Sequence, residues 1–178
     1  MRVLYSLIFM ILFSIFHLLL MLYMIGYVFV FHHKYNNYLG DILYYTICFV
    51  MILTWFMNNS NCILTIYNVD KPTEKMDIYD VHQLLPFLSD IQMKNFVNFV
   101  ICGTIVNLIL IHLRSHLLPM YVLVGFIIIY SVYLLYLRHF YNEIIYNQLH
   151  LDEKTETFFT SVSSVYIIYC LFLLYLRL

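Results

Sequence analysis

The sequence predicts an all-α fold, a multi-pass transmembrane helical bundle of about five spans, and three observations carry that prediction. Of 178 residues, 63% are hydrophobic and only 11% charged, against roughly a quarter charged in an ordinary soluble domain. A soluble chain of this length buries about 70% of its unfolded surface, so this much Leu, Ile, Phe and Tyr would leave broad apolar patches in water. Second, the apolar residues fall into runs near the length of one bilayer crossing. Third, the polar residues concentrate in two segments, 68–90 and 138–157. Disorder is excluded, and a single membrane domain over 1–178 is expected, with four spans as the alternative count.

The first run, Val3 to Phe31, holds about 29 residues, which is roughly 43 Å of helix against a hydrocarbon core of about 30 Å. It must tilt or project. It is too long for the apolar part of a signal peptide and lacks a small-residue cleavage site, so an uncleaved signal anchor is expected. The second run spans 39–57 and continues amphipathically through Cys62 and Tyr67. The third, 96–113, has a start signal upstream: Ser89-Asp90-Ile91-Gln92 has the spacing of a capping box. The fourth, 117–137, carries Pro119 in its first turn, where the missing N–H costs nothing. His112 to His116 leaves so short a connection that the third and fourth helices form an antiparallel hairpin. The fifth run spans 158–176.

Between the runs, 68–90 offers Met76, Tyr79 and Leu84 with Pro86-Phe87 as the apolar side of a short interfacial helix. The second polar segment, 138–157, sets His139, Glu143 and His150 opposite Phe140, Ile144 and Leu151, as an extension of the fourth helix does. With five spans, Arg2, Lys71, Lys75, Lys94, Arg138 and Lys154 share one side and Lys34, Arg114 and Arg177 the other. That bias places the N-terminus on the cytosolic or matrix-like side. Asn58-Asn59-Ser60 matches a glycosylation sequon but falls on the wrong side in this orientation.

Scattered basic residues and a net charge of −1 give no electrostatic footprint for nucleic acid, so none is expected as a partner. The partners expected are the lipid bilayer and other membrane proteins or a second copy of the chain. The chain has no alanine, with 4 Gly and 3 Pro beside 15 Phe and 18 Tyr. Alanine, glycine and proline codons are GC-rich and those of Phe, Tyr, Ile and Asn AT-rich, so an AT-rich genome is expected: an organelle, a large DNA virus or an AT-rich protist. Cys48, Cys102 and Cys170 lie inside apolar runs, where a thiol behaves as a small hydrophobe. Cys62 alone sits at a polar end, and no spacing of Cys and His matches a zinc site or a disulfide framework.

His17, near the middle of the first run with Ser14 on its face, is the leading candidate for function, because an ionisable group in hydrocarbon is costly. Its readings are a proton relay, an axial cofactor ligand, or a neutral imidazole bonded to Ser14 or another helix. A b-type haem needs imidazoles at similar depth on facing helices, and His112 and His116 sit at helix ends, where polar anchoring is expected. Asp41, Asn98 and Asn107 are the other polar residues read as buried, with amides acting as interhelical glue. Thr157, Ser161 and Ser164, with Thr160 beside them, read as a packing stripe, and Tyr130, Tyr133 and Tyr136 as an interfacial belt. No phosphate loop, nucleophile elbow, zinc motif or paired-carboxylate pattern occurs in the sequence, so no catalytic residue, cofactor or metal is assigned.

Trp55, then Asn58 to Tyr67, then Asp70, Lys71 and Pro72 resemble a pattern in uncharacterised multi-pass membrane proteins of large DNA viruses. There a Trp-ended helix leads into a Cys, a hydrophobic pair, Ser or Thr, and a charged loop; the likeness covers about 30 of 178 residues. It implies a viral membrane protein of unknown activity, in a viral or host membrane, with Trp55, Cys62 and Thr65 as the positions of interest. The function expected is that of a structural or interaction membrane protein. The alternative is a small subunit of an organellar respiratory or transport complex, in the mitochondrial inner membrane, with His17 and Asp41 near a proton path.

Overall fold

The computed structural model of the chain describes residues 2–31, 37–57, 85, 87–139 and 153–178. They form five helices: α1 (Arg2–Phe31), α2 (Tyr38–Met57), α3 (Asp90–Ser115), α4 (Met120–His139) and α5 (Glu153–Tyr175), with no strand among the described residues. Three are long and apolar enough to cross a membrane, over Ile11–Val30, Ile91–Ser115 and Thr157–Tyr175, while α2 and α4 carry shorter apolar stretches. The expected interfacial helix within 68–90, except for 85 and 87–90 at its end, lies outside the described residues, as do the extension beyond His139, Asn58-Asn59-Ser60, Cys62 and Thr65. Trp55 lies in the last turn of α2.

Local chemistry sets the boundaries. The Ser89 hydroxyl accepts from the Gln92 backbone N–H at 3.3 Å while the Gln92 carboxamide accepts from the Ser89 N–H at 2.8 Å, so the capping box forms as its spacing requires. α3 therefore starts six residues before its apolar run. It ends at His116, which takes the left-handed conformation (φ 47°) and donates its N–H to the His112 carbonyl at 3.0 Å. Pro119 stands one residue before α4 rather than inside it, and its carbonyl accepts the first helical bonds, from Val122 at 3.0 Å and Leu123 at 3.2 Å. That is a frame shift of one at a helix end, where the hydrogen-bond pattern and the chain turn do not coincide.

α1 packs chiefly along α3 and α2 along α5, and a single apolar core runs through all five helices. Gly103 lets α1 and α3 approach closely: a Cβ there would meet Ile25 Cγ2 at 3.3 Å. On the other side, Phe49 meets Phe126 edge-on at 4.5 Å between ring centroids, joining α2 to α4. Outward, large apolar side chains such as Leu12, Leu19, Phe99 and Val165 stay exposed, as a lipid-facing surface requires.

Both ends of the bundle fix helix directions. At one end Tyr38, starting α2, donates to the Arg177 carbonyl beyond α5 at 3.0 Å. At the other, Phe56 and Phe159 meet edge-on at 6.5 Å. α2 and α5 thus run antiparallel. α1 and α3 run parallel, since Ile25 lies beside Gly103 and both helices end near Asp41.

Candidate functional site: a polar node at one end of the bundle

Asp41 occupies the first turn of α2, where a carboxylate complements the helix dipole, and Arg114 the last turn of α3, where a cation does the same. The two meet as an ion pair: Arg114 Nε donates to Asp41 Oδ2 at 3.0 Å and its Nη2 donates to Oδ1. Tyr27, from the end of α1, donates its hydroxyl to Asp41 Oδ1 at 2.9 Å and accepts from Asn37 Nδ2 at 3.2 Å. The Arg114 guanidinium also lies 5.8 Å from the centre of the Tyr27 ring, a cation–π contact. Asp41 is 2% exposed and Arg114 25%, so the carboxylate is enclosed while the arginine is partly exposed. Three helices converge on one carboxylate.

Beneath the node lies a second polar contact among the same helices. Asn107 of α3 donates to the carbonyls of Met24 and Ile25 at 2.6 and 2.8 Å, and Tyr44 of α2 donates to the same Met24 carbonyl at 2.7 Å. Between the layers the Tyr27 and Tyr44 rings stack at 4.8 Å, with Tyr23 against both. Tyr45 donates to the Leu108 carbonyl at 2.9 Å, a further α2–α3 link. Every one of these bonds joins two helices.

His17 and Ser14 are both buried on one side of α1, as their spacing predicts. His17 stands eight residues before Ile25, and His112 nine residues after Gly103. Because Ile25 and Gly103 are neighbours on parallel helices, the two imidazoles lie about 25 Å apart along the bundle axis. They do not fit as axial ligands of one haem. Among the described residues no group of three His, Cys, Asp or Glu is placed to hold a metal ion.

Asn98 is exposed on the outer face of α3 rather than buried, because the helix turns Asn107 and Gly103 toward α1. His112 is buried and meets His116 edge-on at 5.4 Å, so only His116 stands as an exposed polar anchor. Tyr130 is a core residue stacked near Phe126 at 6.0 Å, not part of an interfacial belt. Thr157 and Ser161 face outward; the Ser161, Thr160 and Ser164 hydroxyls donate to carbonyls of their own helix, at 2.7, 3.0 and 2.7 Å. The buried small residues of α5 are Ser163 and Cys170.

Asp41 was legible as a candidate, whereas Tyr27 and Arg114 were not read as its partners. The signal was available: the five-span topology already puts Arg114 on the side where Asp41 begins its helix, one acid and one base at matching depth.

No protein-family model, curated protein or solved structure matches the chain.

Proposed function

We propose that the chain is a structural or interaction component of a membrane, spanning it five times, in a virion or a virus-modified host membrane. The observation that carries this reading is the use to which the enclosed polar groups are put. Asp41, Arg114, Tyr27, Asn107 and Tyr44 bond helix to helix, and in lipid such bonds hold a bundle together. A proton path needs a carboxylate free to exchange with its neighbours, whereas Asp41 is held by a guanidinium and a phenol. The alternating helix directions support five crossings, and the resemblance around Trp55, Cys62 and Thr65 together with the AT-rich composition supports a viral origin.

Mass and absorbance of the protein purified in detergent test the reading. A stoichiometric chromophore or metal rejects it; a colourless, metal-free chain that co-purifies with defined membrane proteins or with itself is expected. Genes flanking the coding sequence separate the settings, capsid genes favouring the virion and respiratory genes an organellar complex.

A further inference from the structure

Asn95, Asn98, Cys102, Val106, Ile109 and Leu113 are all exposed and form one stripe along α3. Each position in its first half recurs eleven residues later: Asn95 with Val106, Asn98 with Ile109, Cys102 with Leu113. An eleven-residue period gives about 3.67 residues per turn, close to the helix's own, so the stripe follows the axis without drifting off the face. The apolar stretch of α3 spans Ile91–Ser115, and its midpoint falls near Gly103. Asn98 therefore sits about 7.5 Å from the middle of the crossing, inside a hydrocarbon layer of half-thickness about 15 Å. Neither the Asn95 nor the Asn98 carboxamide has a hydrogen-bond partner among the described residues. Two amides on a lipid-facing stripe, without partners, are costly as single chains.

We infer that this stripe is a self-association surface on which a second copy of the chain seats, an inference that rests on the proposed membrane-spanning interaction role. A carboxamide both donates and accepts, so two of them related by a two-fold satisfy each other reciprocally. The stripe carries no charge that selects a different partner. Copies inserted in one orientation are related by an axis along the membrane normal, which sets equal depths opposite each other. Asn98 then faces its counterpart in the second copy, and Cys102, a small residue one turn further on, does the same at close approach.

Disulfide trapping in membranes tests the arrangement, with the full chain carrying Cys62→Ser; Cys48 and Cys170 are buried. Molecular iodine enters lipid and oxidises two apposed thiols to one disulfide, being reduced to iodide as the protons leave. The expected product is a dimer of twice the chain mass, lost when Cys102→Ser is added. Adding Val106→Cys to that double variant restores it, and adding Val165→Cys, outward on α5, does not. Asn98→Leu lowers the dimerisation constant about 3- to 20-fold, the range of interhelical polar bonds in lipid, while Asn98→Gln retains most of it. Trapping through Val165→Cys as readily as through Cys102 overturns the inference, as does a Cys102 disulfide to a different protein. A chain that stays monomeric at high protein-to-lipid ratio also overturns it, yet if colourless and metal-free with other membrane partners it leaves the proposed function standing. A bound chromophore overturns that function instead.

Discussion

Arg114 closes on Asp41 across 73 residues of sequence, joining the end of α3 to the start of α2 with the Tyr27 hydroxyl on the same carboxylate. Each charge sits where its own helix dipole favours it, so the pair needs little distortion of either helix. The cost of enclosing the carboxylate is offset only while both partners are present.

Asp41→Asn is expected to destabilise the bundle by about 1–3 kcal/mol, below the roughly 3–5 of a fully enclosed pair because Arg114 reaches partly outward. Arg114→Gln should cost more than Asp41→Asn, since it strands the more deeply enclosed charge. The double variant is expected to recover part of the loss. Unfolding in mixed micelles by added denaturing detergent measures all three, and strict additivity of the two single effects would reject direct pairing.

Asn107 and Tyr44 both donate to the Met24 carbonyl, so their contributions are coupled. Asn107→Leu is expected to cost about 1–2 kcal/mol and Tyr44→Phe about 0.5–1 kcal/mol, the scale of interhelical bonds in lipid. In a double-mutant cycle the pair should depart from additivity, whereas Asn107→Leu with Phe159→Leu, at the other end of the bundle, should add.

The sequence signals that proved reliable were local ones. Ser89 and Gln92 specify a helix start through one side-chain length, and the apolar runs specify helices because lipid requires every backbone group to be bonded within the segment. What escaped was rotational: which way each helix turns. In a soluble helix the polar face announces the outside, but here both faces are apolar, so Asn98 and Asn107 read alike although one points outward and the other into α1. The same ambiguity hid Tyr130 in the core and left Thr157 outside. Asp41 was visible because a lone acid in an apolar run has few explanations; its partners required knowing which helix ends lie together.

Gly125 provides a packing test independent of the node. A Cβ there would overlap the Tyr166 hydroxyl, which donates to the Val122 carbonyl at 2.8 Å and so has little freedom to move away. Gly125→Ala is expected to cost about 1–3 kcal/mol, as overpacking does, and Tyr166→Phe should reduce that penalty by removing the colliding oxygen. An unchanged penalty in the Phe background would mean that the helices separate rather than the hydroxyl yielding. The unfolding midpoints of the parent chain, the two single variants and the double variant decide between the two.

The last prediction concerns the number of crossings. Tyr38 bonding to the Arg177 carbonyl and Asp41 pairing with Arg114 gather the start of α2, the end of α3 and the chain beyond α5 at one end of the bundle. Ser89, before α3, stands at the opposite end, since α3 runs from there to Arg114. If that bundle spans the bilayer five times, single thiols at Ser115 and Arg177 label from one side with a membrane-impermeant maleimide, and a thiol at Ser89 labels from the other. Thiols introduced at Asp77 and Asp152 should follow Ser89, and one at Lys34 should follow Ser115. The background for these probes is Cys62→Ser, because Cys102 faces lipid and Cys48 and Cys170 are enclosed. A four-span arrangement breaks the pattern, because removing one crossing reverses every side downstream of it. Labelling of Asp77 and Asp152 from opposite sides rejects five crossings, and the identity of the segment that fails to cross is then read from the first probe that switches.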